Sequence, residues 1–487
     1  MSDLSVPPVF FTDFYNLTMA YGYWCKNLHN TKALYHFTFR RNPFDGGFIV
    51  CAGLEVVIKY LLDMKCFSKE DILFLEQQKD SRGNSLFDSE FVDFLANIDF
   101  KDCQIYAVRE GAVVFPMEPI IRVEGPIIKC QLLETLFLNI VGFQSLISTK
   151  AARVCLAAGS DEVVELGMRH AHGVDGALSA SRASFIGGCG STSNVMAGYI
   201  HGIKLKGTQS HSWITFFEDE KRAFEEYSDV FENNTFLVDT YSTVQGVKNA
   251  VEIGKTLKAQ GKSFNAIRLD SGDLSYLSIK AREILDNAGF NDTKIIASNE
   301  LDEHIITSIK QEGCAIDCWG VGTKLVTGHH TAAASCVYKL AAIRKEDDKH
   351  WIPKMKLSEQ KEKISLSGKQ QVKRYYDIES GIYAYDMIFN EFIETNQKKM
   401  IHKNTEIEIN SKFKGFDLLE PILSGGKLVY TFPALHEVQS FLKQELNKLP
   451  TSLKRFVNPD YYTIGIESEF YKHHSNLIKK LRSVSKK

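Results

Sequence analysis

The chain has 487 residues, 44% hydrophobic and 24% charged, with a formal net charge of −2. That composition belongs to globular chains rather than disordered or fibrous ones, and the length allows two or three domains. With no excess of either charge there is no electrostatic footprint for nucleic acid or an anionic membrane, which leaves small-molecule chemistry as the reading to pursue.

The N-terminus, MSDLSVPPVFF, carries neither a basic segment nor an apolar core of the kind a leader needs, and no uncharged apolar run approaches bilayer length. A cytoplasmic protein without a membrane partner is expected. The ten cysteines are scattered singly and form no CxxC pair, so they read as reduced, mostly buried thiols. Residues 1–140 mix short strand-like runs (ALYHFTF, GAVVFPM, PIIRVEG) with a helical segment at LEVVIKYLLDM, the pattern of an α+β domain.

From residue 141 to 340 the texture changes to short apolar runs alternating with amphipathic helices. TFLVDT precedes VQGVKNAVEIGKTLKAQG, FNAIRLD precedes LSYLSIKAREILDNAG, TKIIAS precedes LDEHIITSIKQEG, and IDCWGVG follows. This is the rhythm of parallel βαβ units and predicts a parallel α/β sheet or barrel. Polar residues cluster where each strand run stops: Asp239, the Asp270-Ser271-Gly272-Asp273 turn, Ser298-Asn299, and Gly320-Val-Gly322-Thr323. In a parallel sheet those junctions share one face, so the four turns are expected to meet at one site.

A lysine-rich run between 341 and 374 breaks the periodicity and reads as an exposed loop; its KLSEQKEK portion is expected to close over the site. The remainder, to residue 487, is a second mixed segment ending in a basic helix, NLIKKLRSVSKK. The domains are therefore drawn as 1–140, 141–340 and 341–487, the last packing on the first.

In 266-AIRLDSGDLS-275 a strand delivers Arg268 and Asp270, Ser271 and Gly272 turn the chain, and Asp273 stands as a helix N-cap. Two acids and an arginine around a Ser-Gly turn suit a ribose diol and an anion. Gly320 and Gly322 followed by Thr323 let the backbone approach a phosphate. Gly254-Lys255-Thr256 only imitates a P-loop, because Asn249 stands where the motif needs glycine and the segment is mid-helix. His170 and His172 have no third ligand nearby, and no permanent metal site is expected. Arg169 beside them suits a substrate carboxylate. The pair His329-His330 suggests no chemistry.

Taken in order, 12-TDFYNLTMAYGYW-24, 39-FRRNPFDGGF-48, 166-LGMRHAHG-173, 207-GTQSHSW-213, 266-AIRLDSGDL-274, 297-ASNELDE-303 and 319-WGVGTKLVT-327 resemble the nicotinate phosphoribosyltransferase family over roughly three quarters of the chain. The resemblance implies an α/β fold, an irregular α/β barrel of the type II phosphoribosyltransferase kind, with a mixed α+β domain built from the N- and C-terminal segments. It implies transfer of phosphoribosyl from PRPP to nicotinate, giving nicotinate mononucleotide and pyrophosphate for NAD biosynthesis. ATP hydrolysis would be coupled to that transfer through a phosphohistidine. The histidine of the GTxxHS motif is His211, and Asp270 would hold the ribose hydroxyls and stabilise cationic character. Thr208, Arg268, Arg169 and Tyr15 would contact nicotinate, Tyr15 from the other subunit of a homodimer with shared sites. Ser298, Asn299, Gly320, Gly322 and Thr323 would seat the 5-phosphate, with Asp239, Ser271, Gly272 and Asp273 also binding PRPP. Arg40 or Arg41 would reach the pyrophosphate, with Arg41 the choice made here. Mg²⁺ would enter with PRPP and ATP, and no tightly bound organic cofactor is implied. The stretch 190-GSTSNVMAG-198 lacks the carboxylate that nicotinamide-using relatives place there, which favours the acid substrate. The alternatives are a nicotinamide phosphoribosyltransferase and a non-catalytic nucleotide-binding homologue.

Overall fold

The computed structural model describes residues 10–63, 67–346, 348–358 and 364–484. The chain divides into two compact units, Ile147–Ala332 and the combination of Met1–Leu146 with Ala333–Lys487. Most of the KLSEQKEK portion, residues 359–363, lies outside the described residues, as do the last three residues of the C-terminal basic segment.

Unit Ile147–Ala332 is built on a six-stranded parallel sheet. Its strands are β1 (Glu162–Glu165), β2 (Ser191–Thr192), β3 (Asn234–Leu237), β4 (Phe264–Leu269), β5 (Lys294–Asn299) and β6 (Cys318–Val321), arranged β2-β1-β6-β5-β4-β3. Every neighbouring pair is parallel. The segment after β2 adds to that edge, where Thr192 accepts a hydrogen bond from the Lys206 backbone and donates one to Lys204. The predicted βα rhythm is present: the helices Thr243–Ala259, Leu274–Asn287 and Glu303–Gln311 follow β3, β4 and β5.

Strand side chains alternate between faces with period two. Val163, Phe236, Ile267, Leu269, Ile295, Ala297, Trp319 and Val321 join one buried apolar cluster with the helices. The residues between them (Val164, Thr235, Ala266, Ile296, Cys318, Gly320) face the other way and are mostly small. The concave side of the sheet is therefore not filled, and a cavity of about 470 Å³ opens there. A closed (β/α)₈ barrel normally packs this space with branched side chains.

The other unit is α+β and draws on both ends of the chain. Its seven-stranded sheet interleaves Lys32–Phe39, Gln104–Ala107 and Pro119–Pro126 with Cys336–Arg344, Ile352–Pro353, Glu420–Ser424 and Lys427–Leu428. A six-stranded sheet comes wholly from the C-terminal segment. GAVVFPM contributes only Val113–Val114 as strand. Helices Ile127–Leu132 and Glu134–Ala158 contain a window apolar enough to cross a bilayer, but 67% of it is buried in the protein, and Lys129, Glu134 and Lys150 disguise it in the sequence.

The lysine-rich run is not a loop throughout. It includes Ile352–Pro353, and its last residues enter the strand Gln370–Asp377, where Arg374 is fully buried. Arg374 pairs with Asp386 at 2.6 Å, donates to the Val113 carbonyl at 2.6 Å, and lies 3.6 Å from Glu445 and 3.9 Å from Glu118. Burial and the charge of Asp386 push the Glu118 carboxyl well above its ordinary range. One side chain thus ties the N-terminal segment to the C-terminal one.

Arg374→Met should lower the urea unfolding midpoint, with a cost of about 3–5 kcal/mol from stranding Asp386 and Glu445 without a cation. Stranded carboxylates favour protonation, so the deficit should narrow as pH falls; an unchanged midpoint at neutral pH would remove Arg374 as the tie.

Candidate active site

The turns after β3, β4 and β5 are joined by direct hydrogen bonds. Asp239, just past β3, accepts from the Asp270 backbone at 2.9 Å and from the Ser271 hydroxyl at 2.6 Å through one oxygen. Its other oxygen is shielded from solvent and accepts no hydrogen bond. Arg268 points from β4 to the concave side and spreads its guanidinium over three partners: Nε to Ser298 at 2.8 Å, Nη1 to Thr208 at 2.9 Å and Nη2 to Asp270 at 2.8 Å. Ser298 in turn donates to Asp270.

These contacts fix the charge of Asp270. Burial alone would raise its carboxyl, but the Ser298 hydrogen bond, the Arg268 cation and the nearby His211 outweigh it and hold the group below the usual carboxylate range. An ionised carboxylate is thus kept in a half-buried place between two strand ends.

His211 opens the short helix His211–Phe216 and is exposed. Its Nε2 is 3.7 Å from Asp270 Oδ2, an ion pair only when the ring is protonated, and its Nδ1 is 3.1 Å from the Thr240 hydroxyl. The turn after β6 also joins the group: Thr323 Oγ1 lies 2.9 Å from His170 Nδ1 and donates to Glu300 at 3.3 Å. Asn299 adopts φ of 123° and its carbonyl accepts from Leu301, a conformation that turns the chain sharply after β5. At Gly320 a Cβ would come 2.5 Å from Leu166 and 3.3 Å from Ser298, so the absence of a side chain is what lets these strand ends close up.

Asp239, Asp270, Ser271, Ser298, Arg268, Thr208 and His211 therefore form one connected group, and Thr323 joins Glu300 and His170. Gly272, at φ of 78°, makes the turn. Asp273 caps the helix Leu274–Asn287 by accepting from Tyr276 at 3.0 Å. Arg169 lies exposed in the 3₁₀ turn Met168–His170. Tyr15 and Arg41 are exposed residues of the other unit.

Several participants had no signal in the sequence. Thr240 and Glu300 sit in polar turns like many others, and His170 was weighed only as a metal ligand. Glu165 ends β1, fully buried, accepting from Ser181 at 2.8 Å, Thr192 at 2.5 Å and the Gly167 backbone. Glu162, on the same strand, lines the cavity and pairs with Lys206. The stretch 190–198 does lack a carboxylate, yet these two carboxylates stand next to it, Glu162 neutralised by Lys206 and Glu165 saturated by three donors.

The arrangement offers an anionic carboxylate beside a diol-sized turn, donors for phosphate oxygens, and a cavity whose lining includes Arg268 and Thr208.

Comparison with known proteins points the same way. The N-terminal domain family of nicotinate phosphoribosyltransferase (NAPRTase) matches residues 10–142, and its C-terminal domain family matches residues 369–474. A nicotinate phosphoribosyltransferase from Bacillus subtilis is 38% identical over 97% of this chain and 95% of its own length. One from Dictyostelium discoideum is 34% identical over 96% of this chain and 87% of its own. The crystal structure of human nicotinic acid phosphoribosyltransferase superposes with a TM-score of 0.82 at 27% identity, covering 96% of this chain and 99% of that one.

Ser298→Ala removes one of the groups that keep Asp270 ionised. The Asp270 carboxyl should then titrate at higher pH, read by carbon NMR of the labelled carboxylate; an unmoved titration would show that Ser298 does not hold the charge.

Proposed function

The chain belongs to the nicotinate phosphoribosyltransferase family, and from that premise we infer that it joins nicotinate to the phosphoribosyl group of PRPP, with ATP hydrolysis coupled through phosphorylation of His211. The products are nicotinate mononucleotide and pyrophosphate, a step of NAD biosynthesis. The observation that carries the site assignment is the ionised Asp270, held by Arg268 and Ser298 and placed 3.7 Å from the His211 ring.

In the transfer, the bond from ribose C1 to the pyrophosphate oxygen breaks, and the pyridine nitrogen of nicotinate forms the new bond to C1. Positive charge develops on the sugar while negative charge leaves with pyrophosphate, so fixed charges lower the barrier. Asp270 faces the cationic sugar and accepts from its hydroxyls. The turns at Ser298–Asn299 and Gly320–Thr323 bind the 5-phosphate with backbone N–H groups and hydroxyls. Arg268 has two N–H groups beyond its three protein contacts, enough to meet the nicotinate carboxylate, with Thr208 beside them. A Mg²⁺ ion arriving with PRPP would neutralise phosphate charge, and Asp239, with its unpaired shielded oxygen, fits it.

In the coupled step, Thr240 holds His211 Nδ1 and leaves Nε2 as the phosphoryl acceptor. The Nε2–P bond forms as the bond from the γ-phosphorus to the bridging oxygen breaks and ADP leaves; water later returns the phosphoryl group as phosphate. The reading includes a homodimer, cytoplasmic, in which Tyr15 of the partner subunit stacks on the pyridine ring.

Enzyme, PRPP, Mg²⁺ and nicotinate should release pyrophosphate, with ATP lowering the nicotinate concentration required and nicotinamide competing poorly. His211→Ala should lose ATP hydrolysis and labelled-phosphate incorporation yet keep ATP-independent transfer. Asp270→Ala should slow transfer roughly 10²- to 10³-fold with and without ATP. Labelled phosphate still incorporated by the His211 variant would refute its role, and preference for nicotinamide would overturn the substrate.

A further inference from the structure

On the same unit as the candidate site, three residues without a role so far bring ligand atoms together. Asp302, His329 and His330 place one carboxylate oxygen and one ring nitrogen each within 4.8 Å of one another. Asp302 is buried at the start of the helix Glu303–Gln311; its Oδ1 accepts from the His304 and Ile305 backbones at 3.0 and 2.9 Å. That leaves Oδ2, whose partner is Lys324, as the oxygen a ligand could take. His330 adopts φ of 77°, a backbone state that a β-carbon-bearing residue avoids. The consequence is that two adjacent side chains, which an extended chain would send apart, sit with ring centroids 3.9 Å apart. Among the described residues neither imidazole has a hydrogen-bond partner.

We propose that Asp302, His329 and His330 form a binding site for a divalent transition metal of the zinc class. One carboxylate oxygen and two imidazoles are a donor set for such an ion, with water completing four-coordination. Zinc bonds of about 2.0–2.1 Å require ligand atoms roughly 3.3 Å apart, so the rings must close in slightly. Both are exposed on the short 328–331 segment.

One group competes for the position. The Lys324 ammonium lies 3.1 Å from Asp302 Oδ2, where the metal would bind. It acts as the resident cation of the metal-free protein and must leave when the ion enters. A bound ion would link the turn after β5, which holds Ser298 and Asn299, to the segment after β6, which holds Gly320 to Thr323. Those turns already touch through Thr323 and Glu300. The metal would brace the candidate phosphate cradle from outside without touching substrate.

The test is direct metal binding by the full chain after chelator treatment. Titration with Co²⁺ should develop the visible d–d absorption of a four-coordinate N/O site, saturating at one ion per chain and bleached by Zn²⁺. His329→Ala and His330→Ala should each weaken Zn²⁺ binding by at least about tenfold, the least that loss of even an outer-shell partner costs. Lys324→Gln should tighten binding, because it removes the competing cation. Circular dichroism verifies that each variant is folded. Binding unaltered in the double histidine variant, weaker binding in Lys324→Gln, or no saturable binding in the parent would each overturn the site. None of these readings depends on catalysis, so the proposed activity and the metal site succeed or fail separately.

Discussion

The candidate site depends on the parallel register of four strands. Leu237 of β3 lies opposite Arg268 of β4, Arg268 opposite Ile296 of β5, and Ser298 opposite Gly320 of β6. Because strand side chains alternate, this register puts Arg268 on the concave face while Ile267 and Leu269 enter the apolar layer beneath the helices. A slip of one residue would send the guanidinium into that layer and two apolar side chains into the cavity. The apolar cluster that excludes such a slip therefore also aims the arginine. Packing on one face of the sheet sets the chemistry on the other.

Once aimed, Arg268 organises charge rather than supplying it. Its three contacts reach Thr208 before β3, Ser298 on β5 and Asp270 on its own turn, so a single planar fork spans three chain segments. An arginine does this where a lysine would not, since the fork fixes the angles between its bonds. The cavity behind it is nearly balanced, with Lys206 against Glu162 and Lys294 against Asp317 at 3.0 Å.

How much of this the sequence displays follows from what each residue touches. The βα order from 234 to 321 is legible because short apolar runs and amphipathic helices have different periods, and because Asp273 marks a helix start. Convergence of the turns is legible too, since parallel connections leave no other arrangement. Arg374 was not: it sits among lysines, and only the fold reveals that Asp386, Glu118 and Glu445 surround it. Glu165 was equally hidden, because EVVE carries no pattern until Ser181, Thr192 and Gly167 close around its carboxylate. The edge strand Ser191–Thr192 is too short for any period to be read. Local chemistry is visible in a sequence, whereas contacts between distant segments are not.

The unfilled concave face gives the last constraint. Ala266, Cys318 and Gly320 are too small to fill the space that branched residues would, and the cost is lost apolar contact inside the sheet. That loss is offset on the opposite face, where Trp319, Phe236 and Ile267 are completely buried. A sheet packed hard on one side can leave the other open without losing its register. The same division explains why Gly320 has two tasks: its missing side chain leaves room for Leu166 and lets the ends of β5 and β6 approach each other. Any side chain there would push on Ser298, and through Ser298 on Asp270, so the strand that widens the cavity also sets the position of the carboxylate beside it.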